Sequence, residues 1–303
     1  MKFSGVIPIL VTPFNEDESV DTRSIQTMIR LMQDIGVQGI TILGVLGEAN
    51  RLSDNERELV ISSAIEAAGQ LPVIVGTSAA GTRSVINHNQ LAKKLGASAV
   101  MITPQAEAVP SDEKVFTHFH SILNETDLPV VLQDHPASTG VHMATELIFK
   151  MLDELTGFCG VKLEAVPTAP KLHSLKTRYG NKINVMTGLG ALYGAFDLEA
   201  GSDGFNTGFA FPEVLIALTK MAKKNDWDSL QEIYQRFLPL IVYEQHPGVA
   251  IRKELLKMRG AIRTARVRSP GVQGTDSIHK TLSKLMHYAM PSQDITRPVQ
   301  IPF

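Results

Sequence analysis

The chain is predicted to fold as a (β/α)8 barrel with a C-terminal helical extension, and three observations carry that prediction. Short β-rich runs alternate with amphipathic segments, eight such runs occur, and after about residue 211 only helical patterns remain. Alternation of this kind builds a parallel sheet with crossover helices outside it. A parallel barrel uses about 250 residues as one domain, so a barrel followed by an extension accounts for a chain of 303.

Strands are expected at 5–11, 39–43, 73–76, 99–103, 129–133, 159–163, 183–187 and 204–207, each rich in β-branched or other apolar residues. Amphipathic helices are expected between them, including 24–35, 55–68, 84–95 and 114–123. Ser53-Asp54-Asn55-Glu56 reads as a capping box, Ser53 covering free amides and Glu56 reaching back, which marks the start of one helix. The organisation is therefore a catalytic barrel over 1–211 and an extension over 212–303. The extension has helices at 212–223, 227–242, 249–259 and 276–288 and an irregular proline-containing tail, 291–303.

Composition excludes several function classes. Basic and acidic residues nearly balance, 29 against 31, with no basic run suited to a phosphate backbone, so nucleic acid is not expected as a partner. Cys159 is the one cysteine, which rules out an internal disulfide and suits a reducing compartment. No apolar stretch approaches the roughly 18 residues that span a bilayer, and Met1-Lys2-Phe3-Ser4-Gly5 has no signal-peptide core. The expectation is a cytoplasmic protein without membrane contact. No two histidines share an element at metal-ligand spacing, so neither a metal nor another cofactor is expected.

In such a barrel the active site lies at the C-terminal strand ends. Strand two is followed by Gly44-Val45-Leu46-Gly47-Glu48, where paired glycines allow a tight turn that presents backbone amides to an anion; an ordinary βα turn has the same composition. Strand five runs into Gln133-Asp134-His135-Pro136-Ala137-Ser138-Thr139-Gly140, where alternation puts Gln133 and His135 on one side and Asp134 on the other. Gly188 and Asn206, at the ends of strands seven and eight, join Gly44, Val45, Leu46, Gly47, Gln133 and His135 as substrate-binding candidates. The most informative segment is Gly160-Val161-Lys162-Leu163-Glu164 in strand six. Residues i and i+2 share a strand face, so Lys162 and Glu164 project together while Val161 and Leu163 face away. A lysine amine that loses hydration among apolar neighbours is favoured in its neutral form, whose lone pair attacks a carbonyl to give a Schiff base. A strand end with both charges in solvent fits the same residues.

Taken in order, Pro8-Ile9-Leu10-Val11-Thr12-Pro13-Phe14, the Gly44 to Glu48 loop, Pro72-Val73-Ile74-Val75-Gly76-Thr77, Thr103-Pro104, Gly160-Val161-Lys162 and Arg266-Val267-Arg268-Ser269-Pro270 resemble the dihydrodipicolinate synthase / N-acetylneuraminate lyase family. These are the pyruvate-type class I aldolases, and the resemblance runs from Gly5 to about Pro270. It implies that Lys162 forms the imine, that the Gly44 to Gly47 loop receives a substrate carboxylate, and that the chain assembles as a homo-oligomer, a dimer or a tetramer.

Departures from the family pattern narrow the reaction. The family's proton-relaying tyrosine at the end of strand five is replaced by Gln133, which has no ionisable proton near neutral pH. Ser138 stands where the diaminopimelate-pathway members carry a carboxylate-binding arginine, and Val45 and Leu46 replace two threonines. Dihydrodipicolinate synthesis is therefore not expected. Most members place the acid directly after the lysine, whereas Lys162-Leu163-Glu164 moves it onto the lysine's own face. With Glu164 as acid–base catalyst beside the imine, elimination of water from a 2-keto-3-deoxy sugar acid becomes the expected reaction. The pattern looks like the 2-keto-3-deoxypentonate dehydratase branch, in particular L-2-keto-3-deoxyarabonate dehydratase, which yields 2-oxoglutarate semialdehyde. The alternatives are a 2-keto-3-deoxy acid aldolase or a hydratase-aldolase, either releasing pyruvate, and a non-catalytic ligand-binding barrel. The loop Gln105-Ala106-Glu107-Ala108-Val109 lacks the tyrosine that many relatives send into a neighbouring subunit.

Overall fold

Eight strands, each buried on both faces for most of its length, run parallel around the centre of the molecule. The structure, a computed structural model, describes residues 3–245 and 248–302. The strands are β1 (Gly5–Val6), β2 (Ile40–Ile42), β3 (Val73–Gly76), β4 (Ala99–Ile102), β5 (Val130–Asp134), β6 (Phe158–Leu163), β7 (Asn184–Thr187) and β8 (Gly204–Phe205). They pair in the order β1-β8-β7-β6-β5-β4-β3-β2. The ring closes between β1 and β2, where the Gln38 amide donates to Val6 O (2.9 Å), Thr41 to Pro8 O (2.8 Å) and Leu10 to Thr41 O (2.8 Å).

The apolar run that predicts the first strand continues to Val11, but the regular ladder stops at Val6. Pro8 has no N–H to donate, so pairing beyond it survives only as separate bonds and an Ile9–Thr41 bridge. β8 likewise ends two residues early, although Ile9 N still reaches Thr207 O at 2.9 Å.

The helices are α1 (Thr22–Ile35), α2 (Asp54–Ala68), α3 (Thr82–Leu95), α4 (Asp112–Asn124), α5 (Pro136–Thr139), α6 (Thr145–Glu154), α7 (Thr168–Tyr179), α8 (Gly194–Glu199), α9 (Pro212–Lys223), α10 (Trp227–Glu244), α11 (Val249–Met258) and α12 (Asp276–Ala289). Strand alternation sorts the core into two layers. Ile7, Ile9, Ile74, Ala99, Met101, Val131 and Met186 fill the barrel interior over Phe3, while Val161, Leu163 and the other outward residues pack against the helices. The capping box forms as expected, with Ser53 N donating to Glu56 Oε2 at 2.9 Å and Glu56 N to Ser53 Oγ at 3.4 Å. Glu56 also receives Arg268. Hydrogen bonds from that guanidinium, backed by those from Ser53, outweigh partial burial and hold the Glu56 carboxyl down at about 2.

α9, expected as the first helix of the extension, packs against β1, β8, α1 and α8 and completes the barrel's outer layer. α10 then lies across α8, α9 and α12. Arg259, just past α11, is 1% exposed and pairs with Glu213 of α9 at 2.7 Å, so the barrel and the helices beyond it share buried charges. The tail has neither helix nor strand over 291–302, and Phe303 lies outside the described residues, as do His246 and Pro247. No helix among the described residues is long and apolar enough to cross a membrane.

Candidate active site

β6 brings its two charges into the barrel mouth together. Lys162 and Glu164 are 4% and 5% exposed, and Lys162 Nζ lies 3.0 Å from Glu164 Oε2. The neighbouring β5 is in register, Gln133 opposite Lys162, so Gln133 Nε2 reaches the same carboxylate oxygen and donates to it at 2.6 Å. The other oxygen, Oε1, accepts the backbone N–H of Leu189 at 3.0 Å. Asp134 points the other way and pairs with Lys171 of α7 at 2.7 Å, as alternation requires.

Burial and four neighbouring groups compete to set the charge of Glu164. Burial pushes its carboxyl up, but the Lys162 ammonium, the His135 ring and the hydrogen bonds from Gln133 and Leu189 together outweigh burial and hold it below its usual range. A carboxylate so held is ionised at neutral pH and faces the amine, the arrangement a proton acceptor needs. His135 Nδ1 stands 3.8 Å from Glu164 Oε2 and 2.7 Å from Ser138 Oγ. Burial lowers the His135 pKa, with Glu164 opposing that shift and Lys162 adding to it.

Gly188 is required by contact with this carboxylate. A Cβ built on it would lie 2.3 Å from Glu164 Oε1 and 2.4 Å from Cγ, closer than any real Cβ approaches. Gly188→Ala is expected to force the Glu164 carboxylate off its Leu189 bond and to lower turnover while borohydride trapping of pyruvate persists. Equal loss of trapping would show that the damage extends to Lys162.

The loop after β2 forms a 3-10 turn at Val45–Gly47, with a second following at Ala49–Arg51. The Gly47 and Glu48 amides bond within it, to Gly44 O at 2.9 Å and Val45 O at 3.1 Å, leaving the Val45 and Leu46 amides outside its internal hydrogen bonds. Val45 is 54% exposed. The turn is anchored at its end by Glu48, which is 2% exposed and accepts from Lys253 Nζ (2.5 Å), Arg51 Nη1 (2.7 Å) and Arg268 N (3.0 Å). Asn206 is fully buried; its Nδ2 donates to Ile7 O (2.8 Å) and Thr41 Oγ1 (3.0 Å), tying β8 to the closing seam, and its Oδ1 has no partner among the described residues.

Nothing in the sequence signals the Leu189 amide or Lys253, which reaches Glu48 from 205 positions away. Ser138 is more than an absent arginine, because its spacing of three from His135 at the start of a short helix lets the two side chains meet. A cavity of about 560 Å³ lies elsewhere, between Thr82 of α3, the 104–111 loop, His118 of α4 and the 140–142 segment.

The dihydrodipicolinate synthetase family matches residues 2–289. The chain is 29% identical over 273 residues to an L-2-keto-3-deoxyarabonate dehydratase of Azospirillum brasilense, covering 88% of each. It is 28% identical over 267 residues to a 4-hydroxy-tetrahydrodipicolinate synthase of Parabacteroides distasonis, covering 86% of this chain and 89% of that one. Among solved structures, the dihydrodipicolinate synthase of Rhodopseudomonas palustris superposes with a TM-score of 0.89 at 32% identity, over 94% of this chain and 97% of the other.

Proposed function

Because the chain belongs to the dihydrodipicolinate synthetase family of class I aldolases and lyases, and because its site couples a lysine to a carboxylate in place of a tyrosine, we propose that it dehydrates a 2-keto-3-deoxy sugar acid. L-2-keto-3-deoxyarabonate is the substrate we favour, with 2-oxoglutarate semialdehyde as product. The observation that carries this reading is the 3.0 Å contact between Lys162 Nζ and Glu164 Oε2, with Gln133 where a relay tyrosine is expected.

Lys162 attacks C2 and forms the imine, which makes the C3 protons acidic because the electrons released delocalise into the iminium. Glu164, ionised and adjacent, takes a C3 proton. The resulting enamine expels the C4 hydroxyl, protonated as it leaves, which gives a C3=C4 bond conjugated to the iminium; loss of a C5 proton, protonation at C3 and ketonisation of the C4=C5 enol turn C5 into an aldehyde, and water then releases the semialdehyde from Lys162. Gln133 orients the carboxylate and moves no proton. The substrate carboxylate is received by the Val45 and Leu46 amides at the glycine turn, with Asn206, bonded to Thr41 of β2, and Gly188, against Glu164, as the further substrate-binding positions. An assembly of two or four copies and a cytoplasmic location go with this reading.

Relatives of both activities occur at similar identity, so the two reactions are told apart by their products. Incubation with a panel of 2-keto-3-deoxy acids, with products identified by mass, is expected to give a semialdehyde with all carbons retained. Release of pyruvate would instead make the protein an aldolase, a reaction to which the exposed apolar wall at Val45 also lends itself. Gly47→Val should raise KM strongly by blocking the turn; a bound 2-keto acid whose carboxylate lies beyond hydrogen-bond length from this loop would remove the loop's assignment. Gln133→Ala should act more mildly than any change at Glu164, and partly through KM.

A further inference from the structure

We propose that His135, held by Ser138, is a second catalytic proton carrier, receiving the proton that Glu164 takes from C3 and delivering it to the departing C4 oxygen. This rests on the dehydratase reading above. What carries it is the placement of a second titratable ring against the base: Nδ1 lies 3.8 Å from Glu164 Oε2, and the His135 side chain is 15% exposed. Contacts between catalytic groups are often long in the absence of substrate and tighten when it binds.

Elimination needs a base at C3 and an acid at C4, and the setting of Glu164 suits it better to the first role. Its Oε1 is bound to Leu189 N and its Oε2 to Gln133 and Lys162. Its carboxylate also rests on Gly188, where even a Cβ has no room. Every one of those donors favours the ionised form, so a proton captured from C3 is held weakly. The adjacent acceptor is an imidazole, whose ordinary pKa of about 6.5 exceeds the roughly 4.3 of a glutamate. Burial favours the uncharged ring before reaction, which leaves it free to accept; the charged groups that act on it are Glu164, Lys162 and Asp134, the last already bound by Lys171.

Ser138 makes both states of the ring compatible with one orientation. Its hydroxyl donates to a bare Nδ1 in the neutral ring and accepts from a protonated Nδ1 in the imidazolium, at the same 2.7 Å contact. The step balances. The C3–H electron pair passes into the iminium to give the enamine, and the proton goes to Glu164 and then to His135. As the enamine pair moves to form the C3=C4 bond and the nitrogen lone pair restores the iminium, the C4–O bond breaks and the imidazolium protonates the leaving oxygen, so water departs and both residues return to their starting charge.

The test separates deprotonation at C3 from departure at C4. Exchange of the pyruvate methyl protons with deuterium from solvent reads imine formation and the Glu164 step alone, whereas dehydration of a 2-keto-3-deoxy acid reads both. His135→Gln should lower dehydration about 10²-fold, in line with loss of one general acid, and lower exchange by a factor about tenfold smaller. Ser138→Ala should lower dehydration by a smaller factor, again more than it lowers exchange. If His135→Gln does not fold, His135→Asn is measured in its place. Parallel loss of exchange and dehydration would reduce His135 to a support for Glu164, and no loss of either would remove it from the reaction; both outcomes overturn the proposal. A wild-type protein that exchanges pyruvate protons but dehydrates no member of the substrate panel would take down the dehydratase reading itself, and is recognised by the failure lying in the wild type.

Discussion

Lys162→Ala should abolish turnover and leave no residue that borohydride can trap with pyruvate. The expectation rests on position: Lys162 projects from a strand into the barrel mouth, 4% exposed, with a carboxylate 3.0 Å from its amine. Removing one partner of a buried pair strands the other charge and commonly costs about 3–5 kcal/mol. Glu164 keeps the Gln133 and Leu189 hydrogen bonds when Lys162 is lost, so the fold should survive at reduced stability. Circular dichroism and a melting curve on the same preparation separate loss of the nucleophile from loss of structure. Turnover above a few per cent of wild type would remove the imine mechanism.

Glu164→Gln should lower turnover by about 10²–10⁴, the usual contribution of a general acid–base group, while imine trapping at Lys162 continues. The substitution preserves shape, so a large loss reports the proton function. The Glu164 carboxyl is held below its ordinary 4.5, by the Lys162 ammonium, His135 and two hydrogen bonds against the opposing effect of burial, which fixes the sign of the pH dependence. A group whose folded-state pKa is depressed stabilises the protein above its unfolded pKa, and that stabilisation is lost as pH falls through the folded value. Glu164 should thus contribute fully at neutral pH, and its own protonation should appear in rate or stability only below about pH 4.5. A loss of activity between pH 5 and 7 that vanished in Glu164→Gln would contradict this. Near-normal turnover of the variant would exclude Glu164 as the base altogether.

Much of this architecture is legible in the residues because barrel formation depends on local pattern. Two-sided apolar runs point to buried strands, and the amphipathic segments between them belong outside, so element order follows from periodicity. Short-range geometry is equally readable: strand alternation puts Lys162 with Glu164 and turns Asp134 outward, and the Ser53 to Glu56 spacing places a helix start. Where backbone chemistry interrupts a ladder the pattern misleads, as at Pro8, where an apolar run continues but regular pairing stops. The pattern of α9 is likewise limited, since it reveals an apolar face and says nothing about which surface that face covers.

Contacts between distant segments depend instead on closure of the barrel. Gln133 meets Glu164 because β5 and β6 pair in a register that neither strand specifies alone. The Leu189 amide reaches Glu164 from the turn after β7, and a backbone donor leaves no trace in residue identity. Lys253 arrives at Glu48 from a helix 205 residues away, and desolvation there lowers its pKa to about 8 despite the opposing pull of Glu48. Residue pattern was thus enough for the barrel, for the candidate nucleophile and for the face that Lys162 shares with its acid, since each depends on neighbours a few positions apart. The donors that hold Glu164 ionised and the ring that stands beside it emerge with the folded chain, because those are distances set by how eight strands close on one another.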